Sequence, residues 1–534
     1  MSEAQYVDAL VVGAGFGGIY ATYRLSQMRL SVKCIDIADD VGGTWYWNKY
    51  PGAMSGYSWD KEDLQTYPWT HHYVYQRDIL GYLQHTVRKH DLRKYMQVSC
   101  STGAFVSRYL ITSLGLLSKP NYPDIPGIST FGGKLVHTAK WDENLRLEGM
   151  KVGIIGNGST GVQVMTAIAP VVGNLKSFQR HPQYSVPSGQ GPVSPGYRET
   201  INKNYNNIYE SLWSSGTAFG IHESTRKTMD ASAEERQKAF QDVWDQGNGF
   251  RFMFSAFGDI TTNRDANEEA CKFIRSKIDD IVKDPHKAAK LKPNDLYARR
   301  PLCDTGYYEI FNRDNVDVVD LKCTPIQQIV QQGIQTTDGT VHELDVLIFA
   351  TGFDAIEGNY LRLAITGREG QTIQKHWEGG ARAFGGIACH RFPNMFIVSG
   401  PQGPFANFVP VIESEVNLII SCIEFAEKSA GAENGPVLGA YTDSECRSRV
   451  KSTTVMEISQ QAEDAWVDFC DESCEGSLFK ESSSWIFGVN IPGRKASTRF
   501  YFGGLGKYLE WSREEVQGGF PSFRKSERSI DQHN

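Results

Sequence analysis

The sequence predicts an α/β protein with two doubly wound units, in which strands and helices alternate, and a helical insert in the second unit. Three observations support this prediction. An apolar run, a glycine-rich turn and an amphipathic segment follow one another twice, at residues 7–27 and 151–169. Polar and aromatic stretches with helical periodicity fill residues 190–295. A buried-strand pattern, DVLIFATGFD, then completes the second unit.

The composition places the chain among ordinary globular proteins. It has 534 residues, of which 40% are hydrophobic and 22% are charged, and this length is sufficient for two or three hydrophobic cores. The net charge of -7 argues against nucleic acid or an anionic membrane surface as a partner. The start of the sequence does not resemble a secretory leader, so we expect none. The sequence contains no bilayer-length apolar run and no paired CxxC motif. We therefore expect a cytoplasmic protein that acts on a small molecule and binds no metal.

The first unit carries a glycine fingerprint directly after its first strand. In GAGFGG, Gly13 permits the tight turn, Gly15 lets backbone amides approach a pyrophosphate, and Gly18 lets helix and strand pack closely. Asp36 ends the next strand, where a carboxylate accepts hydrogen bonds from a ribose 2′-hydroxyl. The sequence therefore predicts a Rossmann-like site for a dinucleotide whose adenosine ribose lacks a 2′-phosphate.

The second unit repeats the glycine fingerprint but has a different residue at the position expected to contact the adenosine ribose. Its loop residues expected to contact a cofactor are Gly156, Gly158, Ser159, Thr160 and Gly161. The following strand ends in Arg180 instead of a carboxylate, and an arginine can pair with a 2′-phosphate. This favours NADPH over NADH. Two different dinucleotides in one chain indicate hydride transfer from a nicotinamide to a flavin, FAD.

Both disulfide reductases and monooxygenases have this arrangement, and the cysteines distinguish them. A disulfide reductase needs a paired-cysteine redox motif beside its flavin, and none follows the first nucleotide unit. A monooxygenase is therefore favoured.

A string between the two units specifies the family. Phe131, Gly133, His137, Trp141 and Asp142 in FGGKLVHTAKWD follow the pattern FxGxxxHxxxW(P/D), which closely resembles the fingerprint of Baeyer–Villiger monooxygenases. Further segments, ARRPLCDTGYYEIFNRDNV, ATGFD and SWIFGVNIPG, resemble the cyclohexanone monooxygenase branch. The matches are ordered and span nearly the whole chain. The resemblance implies two Rossmann-like domains that bind FAD and NADPH.

The resemblance also assigns residues around the flavin. GGTWYWNKYPG resembles the family's flavin-contacting loop, and Gln76 stands where the family has a flavin-binding glutamine. The positions that this resemblance assigns to FAD are Gly43, Thr44, Trp45, Tyr50 and Gln76.

The activity implied by the resemblance is conversion of a ketone and O₂ to an ester or lactone through a C4a-peroxyflavin. Such a site needs a fixed cation, because the attacking species and the adduct are anionic. Arg300 matches the family's catalytic arginine, and Arg299 takes the place of a lysine that helps hold the 2′-phosphate. Trp485 matches a tryptophan on a loop that closes over NADP⁺. The resemblance leaves the substrate open, and Phe405, Phe408 and Phe487 are candidates for pocket walls or core packing.

The chain departs from the family at one catalytic position. The family's YPGxxxD segment supplies an aspartate to the catalytic arginine, whereas YPGAMSGYSWD has Gly56 there, and Asp60 substitutes only if the loop rearranges. The chain is also shorter between Gln97 and Phe105. Three alternatives therefore stay open: a flavin monooxygenase acting on nitrogen or sulfur, an uncoupled NADPH oxidase, and a catalytically impaired flavin-binding protein. Restoring an aspartate in this loop is expected to raise the coupling of NADPH use to product.

The order of these motifs predicts that both domains are discontinuous in sequence. The expected parts are 1–143 and 383–534 for the FAD-binding domain, 144–189 and 296–382 for the NADPH-binding domain, and 190–295 for the helical insert.

Overall fold

The fold of this chain is described by a computed structural model over residues 4–28, 30–51, 54–55, 61–429, 452–482 and 484–529. The strands are β1 Gln5–Val12, β2 Val32–Ile35, β3 Met54–Ser55, β4 Val74–Tyr75, β5 Met96–Gln97, β6 Phe105–Thr112, β7 Lys134–His137, β8 Lys151–Ile155, β9 Asn174–Gln179, β10 Ser185–Pro187, β11 Leu302–Asp304, β12 Val316–Asp320, β13 Ile326–Val330, β14 Gly333–Thr336, β15 Val341–Glu343, β16 Val346–Phe349, β17 Met395–Ile397, β18 Ser452–Ile458 and β19 Phe523–Ser529.

The α-helices are α1 Phe16–Ser26, α2 Thr44–Trp47, α3 Lys61–Thr66, α4 Gln76–Lys89, α5 Ser159–Ile168, α6 Pro195–Ser214, α7 Ala233–Gln246, α8 Gly249–Ser255, α9 Arg264–Ile281, α10 Pro285–Leu291, α11 Glu357–Tyr360, α12 Ile373–His376, α13 Phe408–Ser429, α14 Gln460–Ser473 and α15 Leu505–Gln517. Short 3₁₀ turns lie at Arg93–Tyr95, Ile128–Thr130, Thr138–Lys140, Thr228–Asp230, Glu309–Asn312, Arg368–Gly370, Leu478–Glu481 and Trp485–Phe487. None of the helices in these ranges combines the length and the apolar character that a membrane crossing requires.

The first sheet is parallel and is built from both ends of the chain. In the described residues it has the order β17-β6-β1-β2-β5, so that β17 from the C-terminal half lies beside β6. Helices α1 and α13 pack against each other beside this sheet. Ile19 of α1, Ile111 of β6 and Ile419 of α13 are buried in its core. Neighbouring parallel strands must be joined by a crossover connection, usually a helix. This is why a glycine turn and helix α1 lie between β1 and β2 in the sequence.

The second sheet repeats this architecture. Its order is β12-β9-β8-β16-β7 among the described strands, and all its pairs are parallel. Strands β8 and β16 are central and almost entirely buried, which explains their continuous apolar sequence. The prediction of an α/β fold with two doubly wound units is confirmed.

The long polar and aromatic stretch of the sequence forms helices α6–α10. They are inserted between β10 and β11, which pair in parallel, so the chain leaves and re-enters the second unit at neighbouring points. A buried aromatic cluster of Phe240, Phe252 and Phe273 joins α7, α8 and α9. The strands β13, β14 and β15 form an antiparallel sheet, and the turn at Asp338 and Gly339 lies between β14 and β15.

The domain boundaries remain predictions, and two segments lie elsewhere than those boundaries assign them. Strand β7, within residues 1–143, pairs with β16 in the second sheet, because its backbone completes the edge of that sheet. In the C-terminal part, Phe479, Phe487 and Phe500 pack into the core that contains the second unit and the helical insert.

Candidate active site

The first glycine loop can be formed only by glycines at two of its positions. A Cβ atom added to Gly18 would lie 1.7 Å from the carbonyl oxygen of Gly13. A Cβ added to Gly13, which has a φ of +106°, would lie 2.2 Å from the carbonyl oxygen of Ser113 at the end of β6. These contacts let α1 start directly over the sheet and leave its N-terminal amides available for an anion.

Asp36 holds this loop in place from the end of β2. Its carboxylate oxygens accept hydrogen bonds from the backbone amides of Ala14, at 2.6 Å, and Ala38, at 2.8 Å. Asp36 therefore lies beside the glycine loop, where the ribose-binding carboxylate of this motif is expected. Its contact with a ribose stays a prediction.

The predicted flavin-contacting loop packs directly on the first glycine loop. The amide of Gly42 donates to the carbonyl of Ala14 at 2.9 Å, and a Cβ on Gly15 would lie 3.3 Å from the Cα of Gly43. Thr44 begins α2, and the side-chain amide of Gln76 donates from Nε2 to the backbone carbonyl of Trp45. The structure thus brings the predicted FAD residues of two separate segments together.

The second glycine loop has the same construction. A Cβ on Gly161 would lie 2.2 Å from the carbonyl oxygen of Gly156, and a Cβ on Gly156 would lie 2.5 Å from that of Ala350 at the end of β16. Gly158 differs, because a Cβ added there would meet open space. The backbone at Gly158 is therefore accessible to a ligand.

The residues present fit a dinucleotide with a 2′-phosphate. Helix α5 begins at Ser159 with no acidic side chain in its first turn, so its N-terminal amides attract an anion. Thr160 lies in the same turn. Arg180 is exposed directly after β9. Arg299, from the chain segment after α10, is half-buried, and its Nη2 donates to Asp295 at 3.1 Å.

Arg300 lies where the two nucleotide units meet. Its Nη1 donates to the hydroxyl of Ser159 at 2.6 Å, and its guanidinium lies 5.8 Å from the ring centre of Phe250. Tyr50, from the flavin-contacting loop, donates its hydroxyl to Oε1 of Gln163 in α5 at 3.0 Å. Burial raises the pKa of Tyr50, and the positive charge of Arg300 opposes this rise. Arg300 therefore faces both the flavin loop and the second glycine loop.

In the family, the aspartate that is replaced by Gly56 in this chain is the partner of the catalytic arginine, which corresponds to Arg300. Within the described ranges Arg300 makes no ion pair. Gly56 and Asp60 lie outside the described residues.

The segment with Trp485 packs beside the second unit. The indole of Trp485 meets the ring of Phe500 edge-on at 5.9 Å, and Asn490 donates to the carbonyl of Phe353 at 3.0 Å. Arg494 forms an ion pair with Asp354 of ATGFD. The segment is thus connected to ATGFD, whereas the contact of Trp485 with a nicotinamide stays a prediction.

The fingerprint histidine, His137, is buried and neutral. Its Nδ1 accepts from the amide of Ala139 at 3.1 Å, and its Nε2 lies 3.5 Å from the hydroxyl of Thr351. Burial lowers the pKa of His137 to about 4. Since Thr351 belongs to ATGFD, the fingerprint and this second motif are in contact.

Sequence reasoning missed the aromatic wall beside Arg300. Phe250 and Phe219 stack with their ring centres 4.0 Å apart, and both are half-buried. No sequence signal separates them from the other aromatics of the helical insert. The three predicted pocket candidates form an aromatic cluster: Phe405 and Phe487 stack on Phe502, and Phe408 contacts Phe500.

One group of potential metal ligands occurs in the described part of the chain. Ligand atoms of His376, Cys389 and Glu463 lie within 4.8 Å of one another. The guanidinium of Arg382 already lies 3.4 Å from Glu463, and Nε2 of His376 lies 2.9 Å from its other oxygen. These cationic and polar groups satisfy the carboxylate without an ion.

Comparison with known proteins identifies the family of this chain. Residues 7–179 match the family "Pyridine nucleotide-disulphide oxidoreductase". The chain is 44% identical to a cyclohexanone 1,2-monooxygenase of Acinetobacter sp., over 95% of this chain and 94% of that protein. It is 42% identical to the phenazine N-monooxygenase PhzNO1 of Lysobacter antibioticus, over 98% and 97% of the two chains. It is also 42% identical to a Baeyer–Villiger monooxygenase of Pseudooceanicola batsensis, over 96% and 95%.

Solved structures give the same result. The fold matches the crystal structure of cyclohexanone monooxygenase from Rhodococcus sp. Phi1 bound to NADP⁺, with a TM-score of 0.91, 43% identity, and coverage of 99% of this chain and 100% of that one. The predictions of the family and of an enzyme that uses FAD and NADPH are confirmed. The chain therefore belongs to the flavin- and NADP-dependent Baeyer–Villiger monooxygenases, and it is similar in sequence and fold to cyclohexanone monooxygenases.

Proposed function

We propose that this chain converts ketones, and cyclic ketones in particular, to esters or lactones with NADPH and O₂, in an active site centred on Arg300. One observation carries the proposal: the exposed guanidinium of Arg300 is held by Ser159 of the second glycine loop, near Tyr50 of the flavin-contacting loop. A cation at this position is close to both expected cofactors and is accessible to a substrate.

We assign the predicted cofactor residues to two nucleotide sites, one for FAD and one for NADPH. The proposed FAD residues are Gly13, Gly15, Gly18, Asp36, Gly43, Thr44, Trp45, Tyr50 and Gln76. The proposed NADPH residues are Gly156, Gly158, Ser159, Thr160, Gly161, Arg180, Arg299 and Trp485. Bound FAD and NADPH would supply the hydride transfer and the activation of O₂.

The role of Arg300 follows from its charge and its support. When the carbonyl carbon of a ketone is attacked, negative charge develops on the carbonyl oxygen, and a pre-oriented cation stabilises it without reorganisation. The hydrogen bond to Ser159 restricts the guanidinium in advance.

The ring of Phe250 supplies an apolar surface beside this charge. Phe250 is supported by Phe219, so the wall is two rings deep. A hydrocarbon ring can lie on this surface with its carbonyl oxygen toward Arg300. The name cyclohexanone 1,2-monooxygenase of one relative supports a cyclic ketone as the first substrate to test.

The test is an assay of three quantities together. FAD-loaded protein is incubated with NADPH, O₂ and cyclohexanone, and lactone, hydrogen peroxide and NADPH loss are measured. Lactone in proportion to NADPH loss supports the proposal. Peroxide without lactone supports an oxidase, and absence of NADPH loss supports an impaired flavin-binding protein. Phenazine is assayed in parallel, because N-oxide without lactone would favour nitrogen oxidation, as the name of another relative suggests.

We also propose a cytoplasmic location and no nucleic-acid partner. The net charge of -7 and the free cysteines of the described residues support this. Fractionation of the native host, with antibody detection of the protein, tests the location.

A further inference from the structure

A carboxylate joins two potential cations at the expected 2′-phosphate position. Oδ2 of Asp295 lies 3.2 Å from Nδ1 of His181 and 3.1 Å from Nη2 of Arg299. His181 is the second residue after β9, so its ring and the guanidinium of Arg299 lie near the end of that strand. The backbone of His181 is held as well, because Asn157 of the glycine loop donates to its carbonyl at 2.9 Å.

The hydrogen bond to Asp295 determines which ring nitrogen of His181 remains available to a ligand. A carboxylate only accepts hydrogen bonds, so Nδ1 of His181 carries the hydrogen and donates it. In the neutral ring, Nε2 then has a lone pair, which repels an anion. Protonation converts Nε2 into a second donor. The side chain of His181 is 39% exposed, so a solute can reach the ring.

Several charges act on His181 before any ligand binds. Burial lowers its pKa, the cations of Lys322 and Arg299 lower it further, and the carboxylate of Asp295 opposes them. Arg180 is the preceding residue in the chain and is exposed. A 2′-phosphate dianion placed among these groups would favour the imidazolium form.

We propose that His181 is a specificity-determining residue that binds the 2′-phosphate of NADPH only after taking up a proton, and that Asp295 is the positioning residue for His181 and Arg299. This inference rests on the proposed NADPH site. It predicts that selection of NADPH over NADH weakens as pH rises, because the proton needed for binding becomes scarcer.

The experiment measures binding to FAD-loaded protein, without turnover. Titration calorimetry with NADP⁺ and NAD⁺ at pH 7.5, in buffers of different ionisation enthalpy, gives the dissociation constant and the number of protons taken up. The 2′-phosphate ionises near pH 6, so it is mostly a dianion at this pH and is not a source of proton uptake. We expect uptake of up to about one proton with NADP⁺ and none with NAD⁺.

Variants separate recognition from stability. His181→Gln should abolish the NADP⁺-linked proton uptake and weaken NADP⁺ binding about tenfold, with NAD⁺ binding and FAD content unchanged. In Asp295→Asn, NADP⁺ affinity should begin to fall at a lower pH than in wild type, because the carboxylate of Asp295 raises the pKa of His181. His342→Gln is the matched control, because His342 is another half-buried histidine with a lowered pKa, and it should behave like wild type.

Two outcomes are informative in opposite ways. Equal proton uptake in wild type and His181→Gln, with NADP⁺ still bound, overturns the inference and leaves the proposed function intact. Failure of wild type to bind NADP⁺ at all overturns the proposed function itself.

Discussion

The guanidinium of Arg300 and the hydroxyl of Ser159 are joined by a 2.6 Å hydrogen bond between residues 141 positions apart in the sequence. Ser159 is the first residue of α5, so the bond ties the proposed catalytic cation to the start of the second dinucleotide loop. Binding of the nicotinamide cofactor and placement of the catalytic charge are therefore expected to depend on each other.

Replacement of Arg300 should separate NADPH use from product formation. In Arg300→Ala the fixed cation is lost, and we expect lactone formation to fall about 100-fold while NADPH oxidation continues with release of peroxide. Gas chromatography of lactone, with absorbance of NADPH, measures this. Arg300→Lys should recover part of the rate, and Arg513→Lys, at an exposed position on α15, is the control. Equal lactone yield in Arg300→Ala would remove Arg300 from the mechanism.

Loss of the Ser159 hydroxyl should have a smaller effect of the same kind. Ser159→Ala leaves Arg300 charged but unrestrained, so we expect the lactone formed per NADPH to fall about two- to fivefold. Ser159→Thr keeps a hydroxyl and should restore coupling. The ratio of lactone to consumed NADPH is the measurement, and an unchanged ratio in Ser159→Ala would show that this bond does not orient the arginine.

Two glycines of one loop should respond oppositely to alanine. A Cβ at Gly161 would lie 2.2 Å from a backbone oxygen, so Gly161→Ala should destabilise the second unit by about 3 kcal/mol or more. A Cβ at Gly158 meets open space, so Gly158→Ala should change stability by less than about 0.5 kcal/mol. It should nevertheless weaken NADP⁺ binding at least about tenfold, because the methyl group takes the ligand's place. Thermal unfolding and NADP⁺ titration distinguish the two, and tight NADP⁺ binding by Gly158→Ala would refute the assignment.

Asp36 should affect both stability and flavin content. Asp36→Ala leaves the amides of Ala14 and Ala38 without their acceptor, and both residues are buried, so a cost of about 1–3 kcal/mol per amide is expected. The absorbance of bound FAD relative to protein should fall. Asp36→Asn retains an acceptor and should be intermediate, whereas Asp314→Ala, on the surface, should match wild type. Full flavin content in Asp36→Ala would contradict this role.

His137 should make stability, but not activity near neutral pH, depend on pH. The fold lowers its pKa from 6.5 to about 4, so between these values the unfolded chain binds more protons. The free energy of unfolding therefore rises with pH across this window, by at most about 1.4 kcal/mol per pH unit for one proton, and the contribution is lost as pH falls. The free energy of unfolding, measured with denaturant at several pH values, should change less steeply with pH in His137→Gln than in wild type. An identical slope would mean that His137 titrates normally.

Local sequence determined the two nucleotide loops. The glycines of each fingerprint and the residues after β2 and β9 act within one strand–turn–helix unit, so their spacing alone fixes their geometry. Asp36 accordingly binds the glycine loop of its own unit through the amide of Ala14, and Arg180 is exposed where the spacing predicts it. Ordered motifs over nearly the full chain also identified the family.

Only the tertiary structure decided the contacts between distant segments. Arg300 meets Ser159 and Phe250, and Asp295 joins His181 to Arg299, because the helical insert and the two sheets pack around one junction. No period or spacing encodes such contacts, since each depends on the burial of large apolar surfaces that bring the segments together. The sequence therefore identified the two nucleotide loops and the candidate catalytic arginine, whereas the packing of the whole chain determined their arrangement and placed Phe250 beside Arg300.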